Sequence, residues 1–207
     1  MALQYIIDTL GCPGINHADF SIDGRIAIFT CEFSSTLAKI DLAGRKVLDC
    51  VQPKMPATRF AEVPNAPRTQ AGKVWEPGES EICTATRGMP QDIRISPDGK
   101  RFYITDLHAD GVHIVDGWSF TQVGFIHTGL GAHGLYPSRD GKRRSSPNAA
   151  RTRSTARAWG LGNGGVVVID FASEEVVARW PVPGGDSLDM GNVTQVRVGK
   201  DPHRLTV

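Results

Sequence analysis

Three Asp-Gly turns stand at matching places in the chain: Ser21-Ile22-Asp23-Gly24-Arg25, Ser96-Pro97-Asp98-Gly99-Lys100 and Ser138-Arg139-Asp140-Gly141-Lys142. Asp-Gly supplies the positive φ that a tight hairpin needs. Each turn follows a short alternating stretch, such as Asp92-Ile93-Arg94-Ile95, which reads as a half-buried strand. The first two are followed by an apolar stretch, and all three lead to a terminal aspartate: Ile40-Asp41, Val115-Asp116 and Ile169-Asp170. The spacing from Arg25 to Asp41 and from Lys100 to Asp116 is 16 residues in both cases, and Ser96 and Ser138 are 42 apart. A period of about 40–45 residues with four strands per unit is that of a propeller blade. An unrelated antiparallel sandwich has similar hairpins but no reason to keep a fixed period.

The rest of the unit follows the same plan. A turn from Asp106 to Gly111 leads to a third strand, Val112 to Val115, and Val123 to Ile126 reads as the outer strand. The exit from that strand also repeats, since Thr128 to Leu135 resembles Val198 to Leu205 and shares its Gly, His and Leu at the same spacing. The expected fold class is therefore all-β, a β-propeller of four-stranded antiparallel blades. With 207 residues it is incomplete, holding about three to four blades. The modules fall at about 12–51, 88–129 and 130–183, with a fragment at 184–207.

Composition narrows the function classes. Lys and Arg number 23 against 22 Asp and Glu, a formal charge of +1, so no bulk electrostatic argument favours nucleic acid or an anionic surface. No stretch of 18 apolar residues exists to span a membrane. The N-terminal residues lack a basic segment and a long apolar run, so no export leader is expected. Cys12, Cys31, Cys50 and Cys83 match no zinc or Cys-x-x-Cys spacing. Cys12 and Cys31 flank the first hairpin, which brings them close; they fit either a disulfide or two free buried thiols.

Whole phrases resemble the bacterial YVTN-type β-propeller repeat proteins: Gly14 to Ser21, Met89 to Asp92, Gly131 to Asp140 and Pro183 to Gly191. The resemblance covers most of the chain outside 52–87 and 143–162. It implies a seven-bladed ring, related in fold to surface-layer propellers and to the propeller domain of haem-containing nitrite reductase. Members are commonly exported and mostly have no assigned reaction. Fold does not give function here.

Three segments break the register. Residues 52–87 form an insert of about 33 residues, because 75 residues separate the first two turn serines where one blade takes 42. It is rich in proline and shows little alternation, so it reads as a disordered insert, with a binding loop as the alternative. Residues 143–162 are expected to form a second irregular insert. Where an apolar strand should follow Lys142, the chain is basic and carries Pro147. The family's strand phrase there resembles Leu-Phe-Val-Ala-Asn-Arg-Gly-Thr, and out-of-frame reading of G/C-rich codons would yield such text. A local frame disturbance, ending near Gly162, is the expectation. Finally, Gly184 and Gly199 lie only 15 apart, so about 27 residues of a blade are missing.

Candidate functional residues cluster where outer strands return to inner ones, at the mouth of the central channel. Asn16, Gln91, His133 and His203 align there, followed by His17, Asp92, Gly134 and Arg204. Such a ring would bind a ligand or metal, or satisfy rim backbone groups. Asp106, His108, Asp110 and His113 make a second polar group, a candidate divalent-cation turn. Trp118 and Trp180 are expected to pack between blades. No Gly-x-Ser-x-Gly elbow, P-loop or His-Glu-x-x-His occurs. The Gly-rich stretch 160–165 precedes a strand, so it reads as a turn and not as a dinucleotide loop.

The function expected is a non-enzymatic binding or interaction scaffold for a protein or small molecule, without a cofactor. The alternative is a lactonase-like hydrolase, or a redox-cofactor-associated propeller subunit, with a metal or ligand held at the channel mouth. A third reading is a truncated remnant.

Overall fold

The computed structural model describes residues 3–9, 12–56, 88–129, 131–137, 155–160, 165–181, 197–198 and 205–206. Every element among them is a strand, and among these described residues no helix is long and apolar enough to cross a membrane. Twelve strands form three four-stranded antiparallel sheets in simple meander order. Blade 1 comprises β1 (Ile15–Phe20), β2 (Ile26–Cys31), β3 (Thr36–Asp41) and β4 (Lys46–Val51). Blade 2 comprises β5 (Pro90–Ile95), β6 (Arg101–Asp106), β7 (Gly111–Asp116) and β8 (Gln122–His127). Blade 3 comprises β9 (Ala132–Pro137), β10 (Thr155–Gly160), β11 (Gly165–Asp170) and β12 (Glu175–Pro181). The short strands β13 (Arg197–Val198) and β14 (Leu205–Thr206) pair with each other. The fold is thus all-β and an incomplete propeller.

The Asp-Gly turns of blades 1 and 2 superimpose bond for bond. Ser21 Oγ donates to Asp23 Oδ1 at 2.6 Å and accepts from Ile26 N at 3.0 Å; Ser96 Oγ donates to Asp98 at 2.6 Å and accepts from Arg101 N at 3.0 Å. Gly24 and Gly99 sit at φ 68° and 75°, the left-handed region that a Cβ disfavours. The serine hydroxyl, with help from the backbone N–H of Arg25, holds the Asp23 carboxyl below its ordinary value. The Ser96 hydroxyl does the same for Asp98.

The terminal aspartates cap the next hairpins. Asp116 Oδ1 accepts from Trp118 N at 3.0 Å and Ser119 N at 2.9 Å; Asp170 Oδ1 accepts from Ala172 N and Ser173 N, both at 2.9 Å. Four residues past each strand end, the chain takes a left-handed φ: Ser35, Arg45, Asp110, Phe120 and Glu174. One hairpin geometry, a turn closed by a single left-handed residue, therefore recurs through all three blades.

The apolar core lies between blades. Ile28 and Leu37 of blade 1 meet Ile93, Phe102, Ile104, Val115 and Phe120 of blade 2. Tyr103, Val112, Ile114 and Ile126 of blade 2 meet Leu135, Val167 and Ile169 of blade 3. Strand alternation sends neighbours to opposite faces, so blade 2 is apolar on both sides. Each fully buried Leu or Ile contributes about 2 kcal/mol.

Two expectations need correcting. Trp118 is 93% exposed. It sits at the tip of the Asp116 turn, and the slot between blades is taken two residues on by Phe120, which is 3% exposed. The span 143–162 is also not wholly irregular. Its Thr155–Gly160 stretch forms β10, paired to β11 from Thr155↔Asp170 to Gly160↔Gly165. A strand slot between β9 and β11 is filled through backbone hydrogen bonds, which any sequence lacking proline supplies.

Candidate functional site at the inner-strand face

The inner strands β1, β5 and β9 run side by side, so their entry residues meet across blades. Two buried threonines fix that spacing. Thr30 Oγ1 accepts from His17 N at 3.0 Å within blade 1 and donates to Gln91 O of blade 2 at 2.7 Å. Thr105 Oγ1 accepts from Asp92 N at 2.9 Å within blade 2 and donates to His133 O of blade 3 at 2.5 Å. Each hydroxyl is a latch from one blade to the next. Both threonines are 0% exposed, so no solvent replaces the bond if it is lost.

These latches bring together most of the residues singled out at the channel mouth. Asn16 Nδ2 donates to Gln91 Oε1 at 3.3 Å and to Glu32 Oε2 at 3.2 Å. His17 Nδ1 lies 3.4 Å from Asp92 Oδ1. Asp92 also takes Arg94 on the same oxygen, and Leu135 N donates to its Oδ2 at 2.9 Å. One carboxylate, 1% exposed, thus ties all three blades. The Arg94 guanidinium lies 5.3 Å from the centre of the Tyr136 ring. Gln91 is 2% exposed, and its Nε2 has no hydrogen-bond partner among the described residues. His133 enters this set through its backbone carbonyl, and His203 lies outside the described residues.

The second polar group is divided among structural tasks. Asp106 Oδ1 accepts from Met89 N, His108 N and Ala109 N at 2.9, 3.0 and 2.9 Å, while its Oδ2 lies 3.3 Å from His113 Nε2. Asp110, at φ 60°, accepts from Gly131 N at 2.9 Å and so holds the entry to blade 3. His108 contributes its backbone N–H to the turn. Among the described residues no three His, Cys, Asp or Glu side chains converge to hold a metal ion. Burial pushes the Asp106 carboxyl up, but His113 and the backbone donors outweigh it and hold the carboxyl below the ordinary range.

Cys12 and Cys31 are joined in a disulfide, with Cα atoms 5.0 Å apart. Cys50 is a free, exposed thiol; burial pushes its pKa up, and the Asp49 charge adds to this. Thr30, Thr105 and Glu32 were not among the residues read from the sequence. The two threonines do carry a signal, since each stands 9 positions after its turn serine.

No protein-family model matches the chain, and a search of curated proteins finds no match. Solved structures do match, 419 chains in all, so the fold is too widespread to choose a function. One is Kuenenia stuttgartiensis hydrazine synthase, at 18% identity and TM-score 0.57, covering 90% of this chain and 41% of that one. The WD40 repeats of RRP9 match at 11% identity and TM-score 0.55, covering 84% and 40%. U3-55K matches at 14% identity and TM-score 0.54, covering 84% and 41%. The chain therefore spans about two-fifths of the length of these structures, and the likeness establishes a β-propeller fold.

Proposed function

We propose that the chain is a non-enzymatic binding scaffold of the YVTN type, with its ligand seated on the inner-strand face. The observation that carries this is the convergence of Asn16 and Glu32 of blade 1 with Gln91 of blade 2, where the buried Gln91 Nε2 has no partner among the described residues. A buried donor of this kind favours an incoming acceptor, because leaving it unmade costs more than an average hydrogen bond returns. Glu32 offers an acceptor beside it. The ligand would therefore carry a carbonyl or carboxylate oxygen together with a donor, as a small amide or an extended protein loop does. The buried carboxylates nearby are committed to structure, since Asp92 links three blades and Asp106 holds a turn, and the Glu32 carboxylate accepts from Asn16 Nδ2 at 3.2 Å. That leaves hydrogen bonding, not acid–base chemistry, as the work of this face.

Thermal-shift screening of the purified chain against small dicarboxylates, sugars, amides and short peptides tests the reading. A compound that raises the melting temperature in wild type, and not in Gln91→Leu or Asn16→Ala, supports it. If every stabilising compound acts equally on wild type and both variants, the ligand lies elsewhere. Stoichiometric metal in the purified protein would instead favour a propeller hydrolase.

A further inference from the structure

We propose that the Cys12–Cys31 disulfide is a redox latch that keeps the N-terminal segment strapped across the outward flank of blade 1. Blade 2 meets blade 1 through Ile93, Phe102, Ile104 and Val115. The blade 1 residues at the same places, 75 positions earlier, are Ala18, Ala27, Phe29 and Ile40. They lie on the face opposite Ile28 and Leu37, and so point away from blade 2. Two of the four are alanine where blade 2 has Ile and Phe, which leaves a shallower flank. Yet Ala27, Ala38, Cys31 and Ile40 are 0, 0, 0 and 3% exposed, although no blade lies on that side among the described residues. The segment preceding β1 is anchored at both ends of β3: Cys12 packs with Cys31 and Ala38 at its start, and the Tyr5 ring lies 4.4 Å from the Arg45 guanidinium in the turn after its end, a course along the flank that would cover Ile40.

The strap gains little from its own packing. Leu3 is 81% exposed and Ile6 82%, so these two side chains face water. Its firmest tie is covalent. At the place of Cys31, blade 2 has Asp106, whose carboxylate accepts from the entry-loop N–H of Met89. Blade 1 has Gly14 at the Met89 position and Cys31 at the Asp106 position, with Cys12 bonded to Cys31 instead. A disulfide replaces a hydrogen-bonded carboxylate as the link between entry loop and strand end, and it alone can be undone by redox chemistry.

The step that opens it needs a dithiol reductant. One reductant thiolate attacks a cysteine sulfur, the Cys12–Cys31 bond breaks and a mixed disulfide forms. The second reductant thiol then displaces the remaining cysteine. Two electrons and two protons pass to Cys12 and Cys31, which become thiols, and the reductant ends as its own disulfide. Because Cys12 and Cys31 are 4% and 0% exposed, attack waits on fraying of the strap.

Hydroxyl-radical footprinting of the full chain tests this. It compares the oxidised protein, the reduced and thiol-alkylated protein, and Cys12→Ser. Ile40 reports the flank and Ile104, which is 0% exposed, reports the blade interior. The expected result is at least a fivefold rise at Ile40 in both opened forms with Ile104 unchanged, and no change in Cys50→Ser. Unchanged Ile40 would show that the strap is held by packing alone. A parallel rise at Ile40 and Ile104 would show that the disulfide holds the blade itself; either result overturns the proposal. Should Cys12→Ser fail to fold, the reduced and alkylated wild type carries the same comparison.

Discussion

Single side chains in this protein act mostly as connections between blades, and the threonine latches show the scale of the effect. Thr105→Val keeps the shape but leaves Asp92 N–H and His133 C=O without their partner. The expected loss is about 1–3 kcal/mol, read as a lower urea midpoint. Thr105→Ser should recover most of it, and Thr30→Val should resemble Thr105→Val. Asp106 makes a second prediction. Its folded pKa lies below the ordinary aspartate value, so its stabilisation is present above that value and is lost as pH falls through the folded pKa. Asp23, Asp98 and Asp116 shift the same way and add to the acid sensitivity. Melting temperature against pH should therefore fall more steeply below about pH 4 in wild type than in Asp106→Asn.

At the level of the hairpin, the glycines separate conformational need from steric need. Gly24→Ala places a Cβ in open space, and its expected cost of about 1 kcal/mol comes from φ alone. Gly99→Ala meets only the end of the exposed Ile22 side chain, which moves easily, so its cost should be similar. Gly111→Ala drives its Cβ against the Ile126 carbonyl of the paired strand, where backbone must move. Guanidinium denaturation should rank it clearly below the other two. The turns themselves were legible in the sequence, because Ser-x-Asp-Gly encodes its own hydrogen bonds. Strand β10 was not, since its place is set by the vacant slot between β9 and β11 and not by alternation of its own. Translating the underlying gene in its other frames across 143–162 would show whether an apolar strand phrase is hidden there; if no other frame supplies one, the frame disturbance is ruled out.

For the molecule as a whole, stability is expected to be nearly one-dimensional, each blade depending on its neighbour. Leu135→Ala should cost about 2–5 kcal/mol at the interface of blades 2 and 3. Hydrogen exchange should then accelerate through β9–β12 far more than through β1–β4; uniform acceleration would mean that the three blades open as a unit. Tyr103, whose hydroxyl pKa burial pushes up, spans the same interface with its ring 4.7 Å from that of Phe171. Arg101 joins Asp116 within blade 2 and reaches Glu174 Oε1 of blade 3 at 3.8 Å. These links reinforce the interface from its edge.

The sequence alone determined the blade: its period, its Asp-Gly turns, its terminal aspartates and the alternation that assigns each strand a face. Those are local properties, carried by residues within one hairpin of each other. It also placed Asn16, His17, Gln91 and Asp92 at corresponding positions in their blades. Only the tertiary structure decided what they do together, because Asn16–Gln91 and His17–Asp92 are contacts across 75 positions of chain. It decided equally that Asp106 and Asp110 serve the backbone, and that Phe120 fills the slot expected for Trp118. A polar residue's task depends on which donors and acceptors surround it, and that is fixed by how one blade stacks on the next.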